Sequence, residues 1–179
     1  MDVLLDRDGV IVAERPGYVL SPDDVVLLPG AADAIRRLCD SGCRVFVVTN
    51  QSPLGRGLID EAMLHRIHAR VDELIGAAGG HVDGFFVCPH APDDGCFCRN
   101  PQPGLLLAAR DLANVQLDHA TFIGDQVSDL AAAAAAGCRA VLVLSGLTRV
   151  HPRSLPGNTS IASDLVTAVD LILGAAVAA

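Results

Sequence analysis

The chain of 179 residues carries 13 basic against 21 acidic side chains, a formal charge of −8, and is 51% hydrophobic with 19% charged residues. A chain this apolar buries a sizeable core, which excludes disorder as its main state and fits one ordinary globular domain over 1–179. The acidic balance and the lack of a basic cluster exclude nucleic acid and anionic membranes as main partners, no apolar run is long enough to span a bilayer, and Asp2, Asp6, Arg7 and Asp8 interrupt the N-terminus where a signal peptide needs its apolar stretch; a cytoplasmic monomer acting on a small molecule is expected.

Short apolar runs alternate with segments of helical period, the pattern of a parallel sheet covered by helices on both faces. A strand over 3–5 is followed by an irregular stretch, 13–29, and a helix over 30–40 that Gly42 stops. A second strand over 44–49 precedes a helix over 60–78, closed by Gly79. A third strand over 84–88 enters the other long irregular piece, 89–103, before a helix over 104–113. A fourth strand over 121–124 leads to a helix over 127–136 that ends at Gly137. A fifth strand over 140–144 and a helix over 163–173 complete an α/β, doubly wound fold. No irregular piece is long enough to hold an inserted cap, so the site is expected to be open on one side.

In an open parallel sheet the ligand sits beyond the carboxyl ends of the strands. Four strand ends carry polar groups here: Asp6-Arg7-Asp8-Gly9-Val10, Thr49-Asn50-Gln51-Ser52, a Cys/His segment, and Gly124-Asp125-Gln126-Val127-Ser128-Asp129. Paired carboxylates two residues apart suit phosphoryl transfer, since one attacks phosphorus while the other manages the leaving group's proton. Gathering Asp6, Asp8 and Asp125 in one crevice incurs like-charge repulsion that a hard, oxygen-seeking ion removes, so the triad predicts Mg²⁺. Any one of the three alone reads as a turn residue or a helix N-cap.

Cys88-Pro89-His90 and, after five residues, Cys96-Phe97-Cys98 supply three thiolates and an imidazole, the ligand set of a closed tetrahedral Zn²⁺ site. Such a site is structural: it staples a loop that cannot pack itself and holds Arg99 toward the crevice. Three disulfides are the competing reading of six cysteines, but a chain with its own core has no need of them. Cys39, Cys43 and Cys138 read as packing residues. Thr49 offers a hydroxyl to a phosphate oxygen and the turn after it backbone N–H groups, while Arg56 and Arg99 are expected as phosphate clamps. His65, His68, His81, His119 and His151 lack partners at ligand spacing and are expected on the solvated surface.

These motifs resemble those of the haloacid dehalogenase (HAD) superfamily of aspartate-nucleophile phosphatases. Asp6-Arg7-Asp8-Gly9-Val10 is similar to its first motif, Thr49 to its second, and Gly124-Asp125 with Asp129 to its fourth. Within it, Leu5 to Gly9, Gly17-Tyr18-Val19, Val48 to Ser52 and Cys98-Arg99-Asn100-Pro101-Gln102-Pro103-Gly104 resemble the heptose-bisphosphate and histidinol-phosphate phosphatase group. The resemblance implies a Rossmann-like core without a cap domain, with a zinc-bearing loop. It also implies Asp6 as nucleophile, Asp8 as acid and base, Mg²⁺ held by Asp6, Asp125 and the backbone carbonyl of Asp8, and phosphate contacts from Thr49 and Asn50. The expected reaction is removal of the 7-phosphate of a heptose 1,7-bisphosphate through an aspartyl phosphate. Pro103-Gly104-Leu105-Leu106 and Gln51-Ser52 favour this over histidinol phosphate, which stays as the alternative substrate. One departure stands out: the superfamily's third-motif Lys is Asn100 here, a second Lys position is Gln126, and the chain contains no Lys. A phosphatase-like protein that binds sugar phosphates with weakened turnover is therefore the other alternative.

Overall fold

The computed structural model describes residues 1–156 and 158–177. Its elements are β1 (Asp2–Leu5), α1 (Ala31–Asp40), β2 (Arg44–Asn50), α2 (Ser52–Gly55), α3 (Glu61–Ala77), β3 (Gly84–Cys88), α4 (Gly104–Ala113), β4 (Thr121–Gly124), α5 (Val127–Ala136), β5 (Arg139–Val143), β6 (Thr159–Ala162) and α6 (Leu165–Val177). All five expected strands and all five expected helices form. The single turn α2 and the edge strand β6 were not anticipated: β6 reads Thr-Ser-Ile-Ala, too short and too polar to stand out from a loop.

The six strands form one sheet in the order β3-β2-β1-β4-β5-β6, every neighbouring pair parallel. Because side chains alternate across a strand, each apolar run feeds two cores. Val3, Leu5, Val45, Val47 and Ile123 face one cluster, which α1, α3 and α6 cover with residues such as Leu38, Ile67 and Val169. Leu4, Phe46, Val48, Phe122 and Leu142 face the other, covered by α4 and α5 through Leu106, Leu130 and Ala133.

The order of the strands places the site. The chain runs outward from β1 to β2 and β3, then returns past β1 to start β4 on its other side, so the connections leaving β1 and β4 diverge and open a crevice beyond their carboxyl ends. Among the described residues no cap domain covers it. The long segment after β1 folds back instead, with Val12 bridging both Asp8 and Leu27 and a single helical turn at Pro22–Asp24.

Candidate active site

β1 and β4 pair in register, Leu5 opposite Ile123, and the Asp6 amide donates to the Ile123 carbonyl at 2.9 Å. Asp6 and Asp125 therefore leave the sheet near one another, and Asp129 joins them from the first turn of α5. One carboxylate oxygen from each of the three lies within 4.8 Å of the others, and all three residues are buried. Burial is the largest influence on each and disfavours the charged form. It holds the Asp6 carboxyl well above its usual range, helped by the charges of Asp129, Asp8 and Asp125. Asp125 is likewise raised, and Asp129 is pushed up to about 6 although a hydrogen bond from Asn100 opposes the shift.

The space around Asp125 is made by glycines. Gly9 has φ +80°, which a side chain resists, and a Cβ there would fall 2.6 Å from the Asp125 carboxyl carbon; one on Gly146 would overlap an Asp125 oxygen. Asp125 Oδ2 accepts from the Leu147 amide at 2.6 Å, while Oδ1 is buried without a protein partner. Three converging buried carboxylates with an unpartnered oxygen are a donor set that a hard divalent cation fits.

Asp8 lies in the same crevice, but its carboxylate stands apart from that cluster. Arg7 grips both its oxygens, Nε at 3.1 Å and Nη2 at 2.8 Å, and Gln51 Nε2 donates to Oδ2 at 3.0 Å. The side-chain cluster is thus Asp6, Asp125 and Asp129, with Asp129 in the place where the sequence alone gathers Asp8 with Asp6 and Asp125. Asp129 is tied on both oxygens, accepting from Asn100 Nδ2 at 2.7 Å and from the Gln126 amide at 2.9 Å. Gln51 Nε2 also donates to Thr49 Oγ1 at 2.9 Å, which leaves the buried Thr49 hydroxyl proton free to donate elsewhere. Asn50 Oδ1 accepts from the Asn100 amide at 3.3 Å.

The crevice encloses about 290 Å³ and is walled by Asp6, Asp8, Thr49, Asn50 and Arg99, among others. Arg99 Nη1 donates to Ser52 Oγ at 3.0 Å and to the His90 carbonyl at 3.3 Å, so the Cys/His loop does deliver it to the site. Arg56 does not arrive. α2 ends at Gly55, which is pressed against the backbone of Pro89 and Ala91, and Arg56 follows on the exposed side, outside the walls of the crevice. Glu14, at the mouth, was missed by the sequence reading; burial and then the charges of Asp8 and Asp125 push it up to about 7. His68 is also corrected. It is buried rather than solvated, because Leu64, His68, Val71 and Ile75 share one face of α3, a spacing visible in the sequence. Its ring stacks on Phe85 with centroids 4.3 Å apart and 11° between planes.

The second cluster lies between β3 and α4. Its sulfur atoms are separated by 3.5 Å (Cys88 to Cys96), 3.2 Å (Cys88 to Cys98) and 3.5 Å (Cys96 to Cys98), and His90 Nδ1 is 3.2 Å from Cys98 and 3.6 Å from Cys88. A tetrahedral Zn²⁺ with bonds of about 2.3 Å to sulfur and 2.0 Å to nitrogen sets its ligands roughly 3.5 to 3.8 Å apart, so these four groups fit that ion with little rearrangement.

Residues 97–168 match the HAD-hydrolase-like family model. The D-glycero-β-D-manno-heptose-1,7-bisphosphate 7-phosphatase of Bordetella bronchiseptica is 42% identical over 176 residues, covering 96% of this chain and 97% of that one. The enzyme of the same name from Pseudomonas aeruginosa is 41% identical over 172 residues at the same coverages. Among solved structures, the B. bronchiseptica D,D-heptose 1,7-bisphosphate phosphatase in complex with magnesium and phosphate superimposes with a TM-score of 0.93 at 40% identity, covering 97% of this chain and 98% of that one. The corresponding phosphatase from Burkholderia thailandensis gives 0.74 at 36% identity, covering 96% and 97%.

Proposed function

Because the chain belongs to the HAD superfamily, in the group of the heptose-1,7-bisphosphate 7-phosphatases, we propose that it removes the 7-phosphate of a heptose 1,7-bisphosphate in a Mg²⁺-dependent reaction. Asp6 is the nucleophile in this reading. One of its oxygens is pinned by the Arg7 amide at 2.6 Å, which leaves the other to attack phosphorus as the bond from phosphorus to the sugar oxygen breaks. Asp8, aimed by Arg7 and Gln51, gives its proton to the departing oxygen. It then takes a proton from the water that attacks the aspartyl phosphate, restoring Asp6 and releasing inorganic phosphate.

Thr49, Asn50 and Arg99 bind the phosphate undergoing transfer, the first by its free hydroxyl proton and the last by its guanidinium. Arg56 has no part in this grip. Asp6, Asp125 and the backbone carbonyl of Asp8 would hold Mg²⁺, which when bound neutralises the carboxylates and the phosphate dianion so that the two anions can meet. Asp129, anchored to Asn100 and the Gln126 amide, backs that set. Cys88, His90, Cys96 and Cys98 would hold Zn²⁺ and keep Arg99 facing the crevice. Thiolate ligands persist in a reducing compartment, so we place the protein in the cytoplasm. One chain supplies the crevice walls described above, and the reading takes it to act as a monomer.

The observation that carries this reading is the end-to-end similarity to the Bordetella phosphatase at about two residues in five. Phosphate release from heptose 1,7-bisphosphate and from histidinol phosphate, each with Mg²⁺ and with EDTA, tests it. Metal-dependent release that is faster on the heptose is expected; faster release from histidinol phosphate would overturn the substrate. A second reading, a weakened phosphatase that mainly binds sugar phosphates, is favoured by one observation: neutral Asn100, not a cation, touches Asp129. Binding without metal-dependent turnover would establish it.

A further inference from the structure

Asp8 owes its orientation to Arg7, and Arg7 is itself unusual. Its side chain is 1% exposed; Nε and Nη2 hold Asp8, yet Nη1 is buried with no protein partner. A buried donor left unpaired costs about 1 to 3 kcal/mol, more when it is charged. His68 carries the complementary defect: its ring is buried against Phe85, and Nε2 has no partner either.

The sheet register sets the two on one face of the sheet. Leu5, Val47 and Phe85 are cross-strand neighbours whose side chains face the same core cluster. Arg7, two residues beyond Leu5, continues that face past the end of β1. α3 covers the same face with Ile67 and Val71, and the Arg7 charge is felt at the His68 ring. We propose that His68 is a positioning residue whose Nε2 is joined to Arg7 Nη1 through one buried water, Nε2 accepting from that water, and so locks the fork that aims Asp8 at the leaving oxygen. Its kinetic consequence rests on the phosphatase reading; the link itself does not.

The chemistry of both partners agrees with this. A guanidinium only donates, so a water that accepts from Arg7 Nη1 keeps both its own hydrogens to give, and it donates one to Nε2 when the imidazole is neutral with its proton on Nδ1. Burial, and then the neighbouring Arg7 charge, push His68 down to about 3, which keeps the ring neutral at physiological pH. Four buried side-chain atoms lack partners among the described residues: Arg7 Nη1, His68 Nε2, Asn100 Oδ1 and Asp125 Oδ1. One link satisfies the first two, and the other two belong to residues of the carboxylate cluster and its Asn100 neighbour.

A packing role and a positioning role separate in two variants. His68→Phe keeps an aromatic ring stacked on Phe85 and removes the acceptor, whereas His68→Gln can place a carbonyl oxygen near the position of Nε2. His68→Phe is expected to lower kcat about tenfold with KM little changed, because small errors in aiming a reacting group are costly, and His68→Gln to recover most of that loss. In the ¹⁵N spectrum of the parent, His68 is expected to show a non-protonated Nε2 and a protonated Nδ1, unchanged between about pH 5 and 8. A His68→Phe protein as fast as the parent, a His68→Gln protein as slow as His68→Phe, or a proton on Nε2 would each overturn the proposal. If His68→Phe fails to fold, the nitrogen spectrum and His68→Gln still decide. A parent that hydrolyses no sugar phosphate sinks the phosphatase reading alone, since the spectrum reports the link without turnover.

Discussion

In the crevice, Asp6 and Asp125 come from opposite halves of the chain, and two neighbouring strands set them side by side with Asp129 from the first turn of α5. In the Cys/His loop, four ligating groups come from one short stretch with a single helical turn, Pro92–Asp94, between them. Both gather groups that repel or desolvate one another when charged. They differ in what holds them in place. The crevice has a frame of buried apolar strands, so removing a cation bound there is expected to leave repulsion but keep the fold. Beyond the buried Cys88 the loop has no such frame, so an ion bound there would be part of its structure.

The sharpest test of the crevice is Asp6→Asn. Turnover is expected to fall by roughly 10⁴-fold or more, because no acyl phosphate can form, while the melting temperature holds or rises as one of three crowded carboxylates becomes neutral. Steady-state kinetics beside thermal melts check both halves, and an active Asp6→Asn protein removes the nucleophile.

The loop is expected to respond in the opposite sense. Cys96→Ser should leave chemistry in the folded fraction largely intact but lower the melting temperature by about 10 °C or more, and the parent should hold about one Zn²⁺ per chain. Metal analysis with thermal melts checks this; metal-free protein of undiminished stability would erase the contrast between the regions.

A subtler effect follows from the charges left in the crevice. Burial pushes the Asp129 carboxyl from an ordinary 3.8 up to about 6, so the folded state holds its proton more tightly than the unfolded one. Its contribution is fully present below pH 3.8 and is lost as pH rises to about 6, on the order of 3 kcal/mol. Without added Mg²⁺, stability is expected to decline across that window, and added Mg²⁺ to raise the melting temperature more at pH 7 than at pH 5. Melts of the parent and of Asp129→Asn measure it; equal pH dependence in the two would show that Asp129 is not the group responsible.

The smallest expected change is a gain. Asn100→Lys places an ammonium beside Asp129 and the transferred phosphate, where charge builds up in the transition state. It is expected to raise kcat about tenfold, short of a fully preorganised group because the surroundings are not shaped for it. Unchanged turnover in a parent already working near the common enzyme value of about 10 per second would mean that Arg99 fills the role.

Much of this was legible from residue order, and the reason is locality. Five strands and five helices follow from apolar runs and helical period, the Asp6-Arg7-Asp8 motif from its place after a strand, and the zinc loop from ligands close together in the chain. β6 escaped because Thr159 to Ala162 becomes a strand only by pairing with β5. That Arg56 stands on the exposed side, outside the crevice walls, was not legible because no local pattern says which side of a one-turn helix meets the crevice. The buried character of His68 was available in the spacing of Leu64, Val71 and Ile75, yet its stack on Phe85 required the register of β3. The chain's own pattern thus determined most of the elements, the kinds of chemistry at their ends and the Cys/His cluster. Only the tertiary structure decided that Asp129 rather than the Asp8 carboxylate completes the buried cluster, that Arg7 and Gln51 grip Asp8, and that Asn100 stands against Asp129, because each depends on which strand ends the sheet brings within hydrogen-bonding reach.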